Sequence, residues 1–468
     1  MIFRAFAVAA SLAALTLPAA AQAPRADQLA FRAIYEEMVE IDSSPATGSC
    51  TRVVAAAAKR LSDAGFAQAD VQLVIPTGAP EDGNLVATLR GTNARSPAIL
   101  LLAHIDVVNA NRADWERDPF TLVEENGFFY GRGTIDDKAM AAVFLDMMIR
   151  MKAENFRPRR TLKMALTCGE ETSNRVNGVD YLLKNHRDLI EAGFAINEGA
   201  GGSLTPDGKP VALEIQSGEK IHQVMTFTVT NPGGHSSRPR RDNAITQLSA
   251  ALQRLDAHRF PIELNPVTRT FFERMAPLTG GDMGAAMAAL ARNPADTAAS
   301  DKLATDATYN AMMRTTCTVT QVEGGHAANA LPQSAKATLS CRVLQGHTPE
   351  EVKAELERVV ADAGVKVDVV RRREGSQAPQ LTRAIMAPVE RVAAKMWPGV
   401  PIIPIMLPGA TDGRFLNTAG IPTYGLSGMF AVPGETNPHG LNEKIRVKSL
   451  YEGRDFLDAV VREYARQR

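Results

Sequence analysis

The chain has 468 residues, 45% of them hydrophobic and 22% charged, with 52 basic and 52 acidic side chains. That length exceeds what one hydrophobic core serves, so two domains are expected. Zero net charge argues against nucleic acid or an anionic membrane as the main partner.

In chain order, residues 1–21 read as a leader rather than as part of the fold. Arg4 gives a positive start, 5–17 is an apolar run, and small residues follow Pro18. This is the pattern of an export signal cut after Ala21. The run is too short to span a bilayer comfortably. A periplasmic or secreted protein is expected, and export makes disulfides available to Cys50, Cys168, Cys317 and Cys341. Cys317 and Cys341 lie in strand-like runs on either side of one loop, where a bridge and two buried thiols both fit. No Cys-x-x-Cys or Cys–His cluster suggests a thiolate metal site.

Residues 27–41 read as a helix with Leu29, Ile34, Met38 and Ile41 inward, and 50–64 as a second helix closed by Gly65. Two strand-like runs follow. Residues 97–108, "PAILLLAHIDVV", form a continuous apolar run, as a strand covered on both faces does. A helix (140–151), a second buried strand ("RTLKMALTC"), a helix (178–190) and a strand ("AGFAINEG") come next. Alternation of strands and helices predicts an α/β domain with a mainly parallel sheet flanked by helices. Near Gly218 the pattern changes to polar–apolar alternation. Strands at 220–230, 314–322, 335–344 and 365–371 and helices at 243–255 and 349–363 suit an inserted α+β domain. An Ala- and Met-rich helical insertion at 259–313 interrupts it. From 375 the α/β character returns, with a helix at 382–396 and strands near 402 and 423. The division is thus 24–217 with 375–468, interrupted by 218–374.

Chemistry-bearing residues gather at the ends of these strands, where open α/β sheets place ligands. His104 ends the most apolar strand. Asp106, two residues on, falls on the same side of an extended chain and suits a carboxylate that orients the imidazole. "GRGTIDDK" supplies Asp136 and Asp137, one of which an ordinary helix N-cap would explain. "CGEET" supplies Glu170 and Glu171, "INEG" supplies Glu198, and "NPHGLNE" places His439 in a Pro/Gly loop. Each alone is weak. Together, two His and several carboxylates on separate loops make a nitrogen- and oxygen-rich site for divalent metal. A shared carboxylate would hold two ions about 3.5–4 Å apart. Adjacent Glu170 and Glu171 can then divide between water activation and coordination.

The ordered motifs "LLAHIDVV", "GRGTIDDK", "CGEET", "INEG", "GGHSSRP", "GGHAANALP", "GATDGRF" and "HGLNE" resemble the M20 family of metallopeptidases, across the whole chain after the leader. The resemblance implies that His104 ligates one metal and His439 the other. It gives Asp136 as the bridge, Glu171 and Glu198 as further ligands, Glu170 as general base and Asp106 as the support of His104. It implies two zinc ions, with cobalt or manganese as substitutes. His235 would help polarise the substrate carbonyl, reaching the site of a partner subunit in dimeric members, and Asn329 would touch substrate. Arg342 and Arg414 are candidates for holding a substrate carboxylate. Short peptides are the implied substrates, cleaved in a carboxypeptidase- or dipeptidase-like way. N-acyl amino acids are the alternative, and a homodimer through the inserted domain is implied. A binding protein on the same fold would tolerate a missing donor, yet each expected position is filled. Three features depart from the family pattern: Ser340 stands where many members have Asp, Gly is missing after Lys138, and the insertion at 259–313 is long enough to cover a pairing surface.

Overall fold

The computed structural model describes residues 25–172, 174–372 and 377–467. The leader-like segment lies outside them. No helix among the described residues is long and apolar enough to cross a membrane.

The main layer is a ten-stranded sheet in the order Val71–Val74, Asn84–Leu89, Leu162–Thr167, Ile99–His104, Phe194–Asn197, Thr423–Gly425, Pro210–Glu219, Gly202–Leu204 and Phe430–Ala431. Ile402–Leu407 pairs in parallel with Pro210–Glu219. The central run from Leu162–Thr167 to Thr423–Gly425 is parallel and the outer strands at one edge are antiparallel. Burial on both faces explains why these central strands read as continuous apolar runs. Helices Ala26–Glu40, Cys50–Asp63, Lys138–Ala153, Arg383–Met396 and Val447–Arg466 share one core with the sheet, and Gly178–Asn185 packs on the opposite face.

A second sheet of Thr316–Gly324, Ser334–Val343, Ile221–Thr230 and Val365–Arg371, all antiparallel, has its own core with helices Ala244–Ala257 and Pro349–Val360. Both helices start on side-chain caps. Asn243 accepts from the amide of Ile245, and Thr348 forms a capping box with Glu351.

Several expectations need correction. Leu29 is 52% exposed; the first helix buries Phe31, Ile34, Tyr35, Met38 and Val39 instead. The strand Pro210–Glu219 straddles the point where the sequence pattern changes and belongs to the main sheet. The helical insertion shares a core with the main sheet. Its Phe271, Phe272, Met287 and Leu290 pack with Ala212 and Ile403 of the main sheet.

All four cysteines are paired. Cys317–Cys341 joins directly opposed residues of neighbouring strands, so of the two arrangements that fit, the bridge is the one formed. Cys50–Cys168, which no local pattern announced, ties the start of the second helix to the end of a central strand. The enclosed separations are 118 and 24 residues. Chain entropy alone would make their stabilisations about 5 and about 3.5 kcal/mol. Removing Cys50–Cys168 by paired Ser substitutions should therefore lower the urea midpoint more than removing Cys317–Cys341, and equal losses would contradict this account.

At the far side, the buried Arg454 guanidinium meets Asp146 and Asp27, each at 2.8 Å, tying the last helix to the first. The hydrogen bond from Arg25, and then Arg454, hold the Asp27 carboxyl below the usual range against the opposing effect of burial. A depressed carboxyl stabilises the fold above its unfolded value of about 3.9 and loses that effect as pH falls. The stability gap between wild type and Asp27→Asn should thus be present at neutral pH and shrink under acid, measured by urea melts at each pH.

Candidate metal centre

The carboxyl ends of the parallel strands converge on one cluster. Ile99–His104 delivers His104 and Asp106, Leu162–Thr167 leads into Glu170 and Glu171, and Phe194–Asn197 leads into Glu198. Asp136 precedes the helix Lys138–Ala153, and the Asp136–Asp137 peptide bond is cis. His439 arrives from the loop before Lys444–Arg446, in which Asn437, His439 and Asn442 all have left-handed backbone (φ 53°, 61° and 54°). Asn enters that region more readily than most residues, so of the three His439 is the one whose backbone its surroundings most need to hold.

Asp136 lies between the two imidazoles. One oxygen is 3.0 Å from His104 Nε2 and the other 3.1 Å from His439 Nε2. His104 Nε2 is also 3.7 Å from Glu198, and His439 Nε2 is 2.8 Å from Glu171. His104, Asp136 and Glu171 offer ligand atoms all within 4.8 Å of one another, as do His104, Glu170 and Glu198. Glu170 thus sits on the inner wall of the cluster, 3.9 Å from Arg414.

Asp106 acts differently from the expected arrangement. His104 Nδ1 lies 3.1 Å from the Asp106 main-chain carbonyl, whereas the Asp106 carboxylate is 3.7 Å away. That carboxylate accepts from the amides of Glu170 (3.2 Å) and Glu171 (3.0 Å). The strand ends at His104, so the alternation that put the two side chains together no longer holds at Asp106. The carbonyl accepts a hydrogen bond from Nδ1–H, which favours the tautomer whose Nε2 lone pair faces the carboxylates.

Electrostatics show what the cluster needs. Burial pushes the Glu198 and Asp137 carboxyls well above their usual range, and that of Glu171 upward. Burial, then the charge of Asp412, takes Glu170 up to about 8. Hydrogen bonds to Asp136 and then Glu171 take His439 up to about 10. Burial would lower His104, but Glu198 and Asp136 override it and raise it. So many converging carboxyls are unfavourable as anions unless cations lie among them. Imidazole and carboxylate donors suit divalent transition metals, so the residues fit such ions.

Three supporting groups were not singled out from sequence. Glu443 is fully buried. One of its oxygens accepts from Arg132 (2.7 Å) and the Gly133 amide, the other from the Ile135 and Asp136 amides. The motif "HGLNE" contained it, but an acid four residues past a loop His gives no cue to a main-chain role. Asn177 donates to the Asp412 carboxylate at 2.6 Å and to the Gly169 carbonyl. Glu219 accepts from the Thr411 amide.

The remaining candidates fall in two places. Arg342 crosses from the second sheet toward Arg414. After burial, the Arg414 charge is the largest influence lowering its pKa, and it makes no hydrogen bond or ion pair with any described residue. His235 and Asn329 stand together on an exposed two-stranded ribbon, where the Ser236 amide donates to the Asn329 carbonyl. No hydrogen bond or ion pair joins those two side chains to the cluster among the described residues.

The fold and this donor set are those of a metal-dependent hydrolase. The model for "Peptidase family M20/M25/M40" matches residues 100–463, and the chain belongs to that family. The N-fatty-acyl-amino acid synthase/hydrolase PM20D1.1 of Danio rerio is 30% identical over 378 residues, covering 78% of this chain and 72% of that protein. The M20 family metallo-carboxypeptidase Sso-CP2 of Sulfolobus solfataricus superposes with a TM-score of 0.69 at 21% identity, covering 93% of this chain and 99% of that one. The Bacillus subtilis YXEP protein, described as a dinuclear metal binding peptidase, superposes with a TM-score of 0.59 at 11% identity, over 94% and 98% of the two chains. The chain is accordingly a peptidase or amidohydrolase of this family.

Glu443→Gln keeps the shape but strands Arg132 without its charge partner. Removing one member of a buried pair costs about 3–5 kcal/mol. The variant should melt earlier in urea and lose metal faster on dialysis. Unchanged stability together with full metal retention would show that Glu443 does not hold the Asp136 loop.

Proposed function

We propose that the protein hydrolyses the amide bond to a C-terminal residue bearing a free carboxylate, with carboxypeptidase- or dipeptidase-like action on short peptides. The observation that carries this reading is Arg414, 3.9 Å from Glu170, with Arg342 near enough for the Arg414 charge to act on it. Two neighbouring guanidiniums, one of which makes no side-chain hydrogen bond or ion pair with any described residue, gain from an added carboxylate. N-acyl amino acids carry the same carboxylate, and the Danio rerio relative is named for them, so they form the second reading.

His104, Asp136 and Glu198 would hold one divalent cation and His439, Asp136 and Glu171 the other, with Asp136 shared. Zinc suits these donors, and cobalt or manganese can replace it. When bound, such a pair lowers the pKa of water and polarises the scissile carbonyl. The chain's own part is positional and protonic. Asp106 fixes the main chain of Glu170 and Glu171. The Glu170 carboxylate takes a proton from the attacking water. Its raised affinity for that proton suits it to hold the proton until the leaving nitrogen needs it. Arg342 and Arg414 orient the substrate through its carboxylate, and His235 with Asn329 completes the carbonyl contacts from a paired subunit. The leader-like residues 1–21 and the two disulfides favour action outside the cytoplasm.

Metal analysis with a peptide and N-acyl amino acid panel tests this. About two transition-metal ions per chain are expected, with activity lost to chelation and restored by zinc, cobalt or manganese. Glu170→Gln should keep its metal while kcat falls about 10²–10⁴-fold. Arg342→Ala should raise KM for substrates with a free carboxylate and leave their carboxamide analogues unaffected. Equal effects on both would remove the carboxylate assignment.

A further inference from the structure

A cavity of about 370 Å³ borders the carboxylate cluster, and neither Arg342 nor Arg414 lines it. Asp136 and Glu198 line it, and Ile135, Met140, Ile405, Leu407 and Met429 supply its apolar walls. The glycine run after Glu198 forms another wall. A Cβ on Gly199 would come within 2.9 Å of Leu407, and one on Gly201 within 2.4 Å of the Met429 carbonyl, so that wall admits no side chains.

One group does not suit these surroundings. Glu214 projects into the cavity from the strand Pro210–Glu219. Its main-chain neighbours are Ile403 in the pairing strand and Gly201, whose carbonyl accepts from the Glu214 amide at 2.8 Å. Its carboxylate makes no hydrogen bond and no ion pair with any described residue. Burial raises its pKa, and no cationic side chain opposes that shift. Sheet packing alone would favour an aliphatic residue at this position, because an unpartnered carboxyl on a half-buried strand face is destabilising. A ligand that brings its own cation removes the penalty.

We propose that this cavity receives the acyl-side group of the substrate and that Glu214 selects chains that end in a cation, such as a lysyl-type amine. The inference rests on the functional reading above, in which the arginines take the carboxylate at one end of the substrate. The opposite end then runs from the scissile carbonyl past Glu198 into the cavity. An aliphatic stem lies along Ile405, Leu407 and Met429 while its terminal ammonium meets Glu214. The volume falls within the range usual for small-molecule sites.

The test compares ε-aminocaproyl-alanine with caproyl-alanine, two substrates that differ only in the terminal amine. Wild-type enzyme should favour the amine by about tenfold or more in kcat/KM, the value of one good charge-assisted hydrogen bond. Glu214→Gln should abolish that preference while hydrolysing caproyl-alanine as well as wild type does. Calorimetric binding of ε-aminocaproate against caproate gives a readout independent of turnover, with the same reversal expected. Equal kcat/KM and equal binding in wild type would overturn the assignment of Glu214. A binding preference that vanishes in Glu214→Gln, alongside no hydrolysis of any amide in the wider panel, would support the cavity assignment and reject the hydrolytic reading instead.

Discussion

Both oxygens of the Asp136 carboxylate face imidazoles, His104 on one side and His439 on the other, and much of the catalytic half serves to keep that carboxylate still. The two histidines are 335 positions apart, one at the end of a buried strand and one in a loop with three left-handed residues. Glu443 fastens the Asp136 segment through its main chain, and Asp106 does the same for Glu170 and Glu171. Two buried acids thus act as clamps on backbone amides. Their charge is balanced by hydrogen-bond donors, leaving the neighbouring carboxylates free to meet cations.

This division of labour separates what was legible in the sequence from what was not. His104, Glu170, Glu171 and Glu198 stood out because each follows an apolar run, and a parallel sheet brings such ends to one edge. The role of the Asp106 carboxylate was not legible, since period-two alternation applies only while the chain is extended. Leu29 failed for a related reason. Its helix turns Phe31, Tyr35 and Val39 inward, and a wider apolar stripe hid which residues face out. Pro210–Glu219 was missed because its Glu214 and Gln216 break the apolar run expected of a main-sheet strand. The Cys50–Cys168 link is a contact between distant elements, which no local spacing encodes.

Those same polar interruptions carry the most information about ligands. A purely structural strand at that place would read as aliphatic throughout. Glu214 lines the cavity beside Asp136 and Glu198, and Arg342 stands close enough to Arg414 to feel its charge, one acidic and one basic. A substrate of matching polarity, anionic at one end and cationic at the other, would be aligned before any contact at the reacting carbonyl. Electrostatic complementarity of this kind acts on orientation and encounter more than on affinity.

The insertion changes how the two halves are joined. Its helices Pro266–Thr279 and Gly281–Arg292 leave the second unit, pack on the main sheet and return, so the chain passes between the halves near 220, at 258–265, at 314–315 and between Arg371 and Arg383. The buried Lys220 amine fastens the first passage to the third, donating to the carbonyls of Ala311 and Arg314. A unit hung on two connections turns about the line between them. Here the insertion adds two further connections. Arg342, carried on that unit, is therefore tied to the half that carries Arg414 by four lengths of chain rather than two.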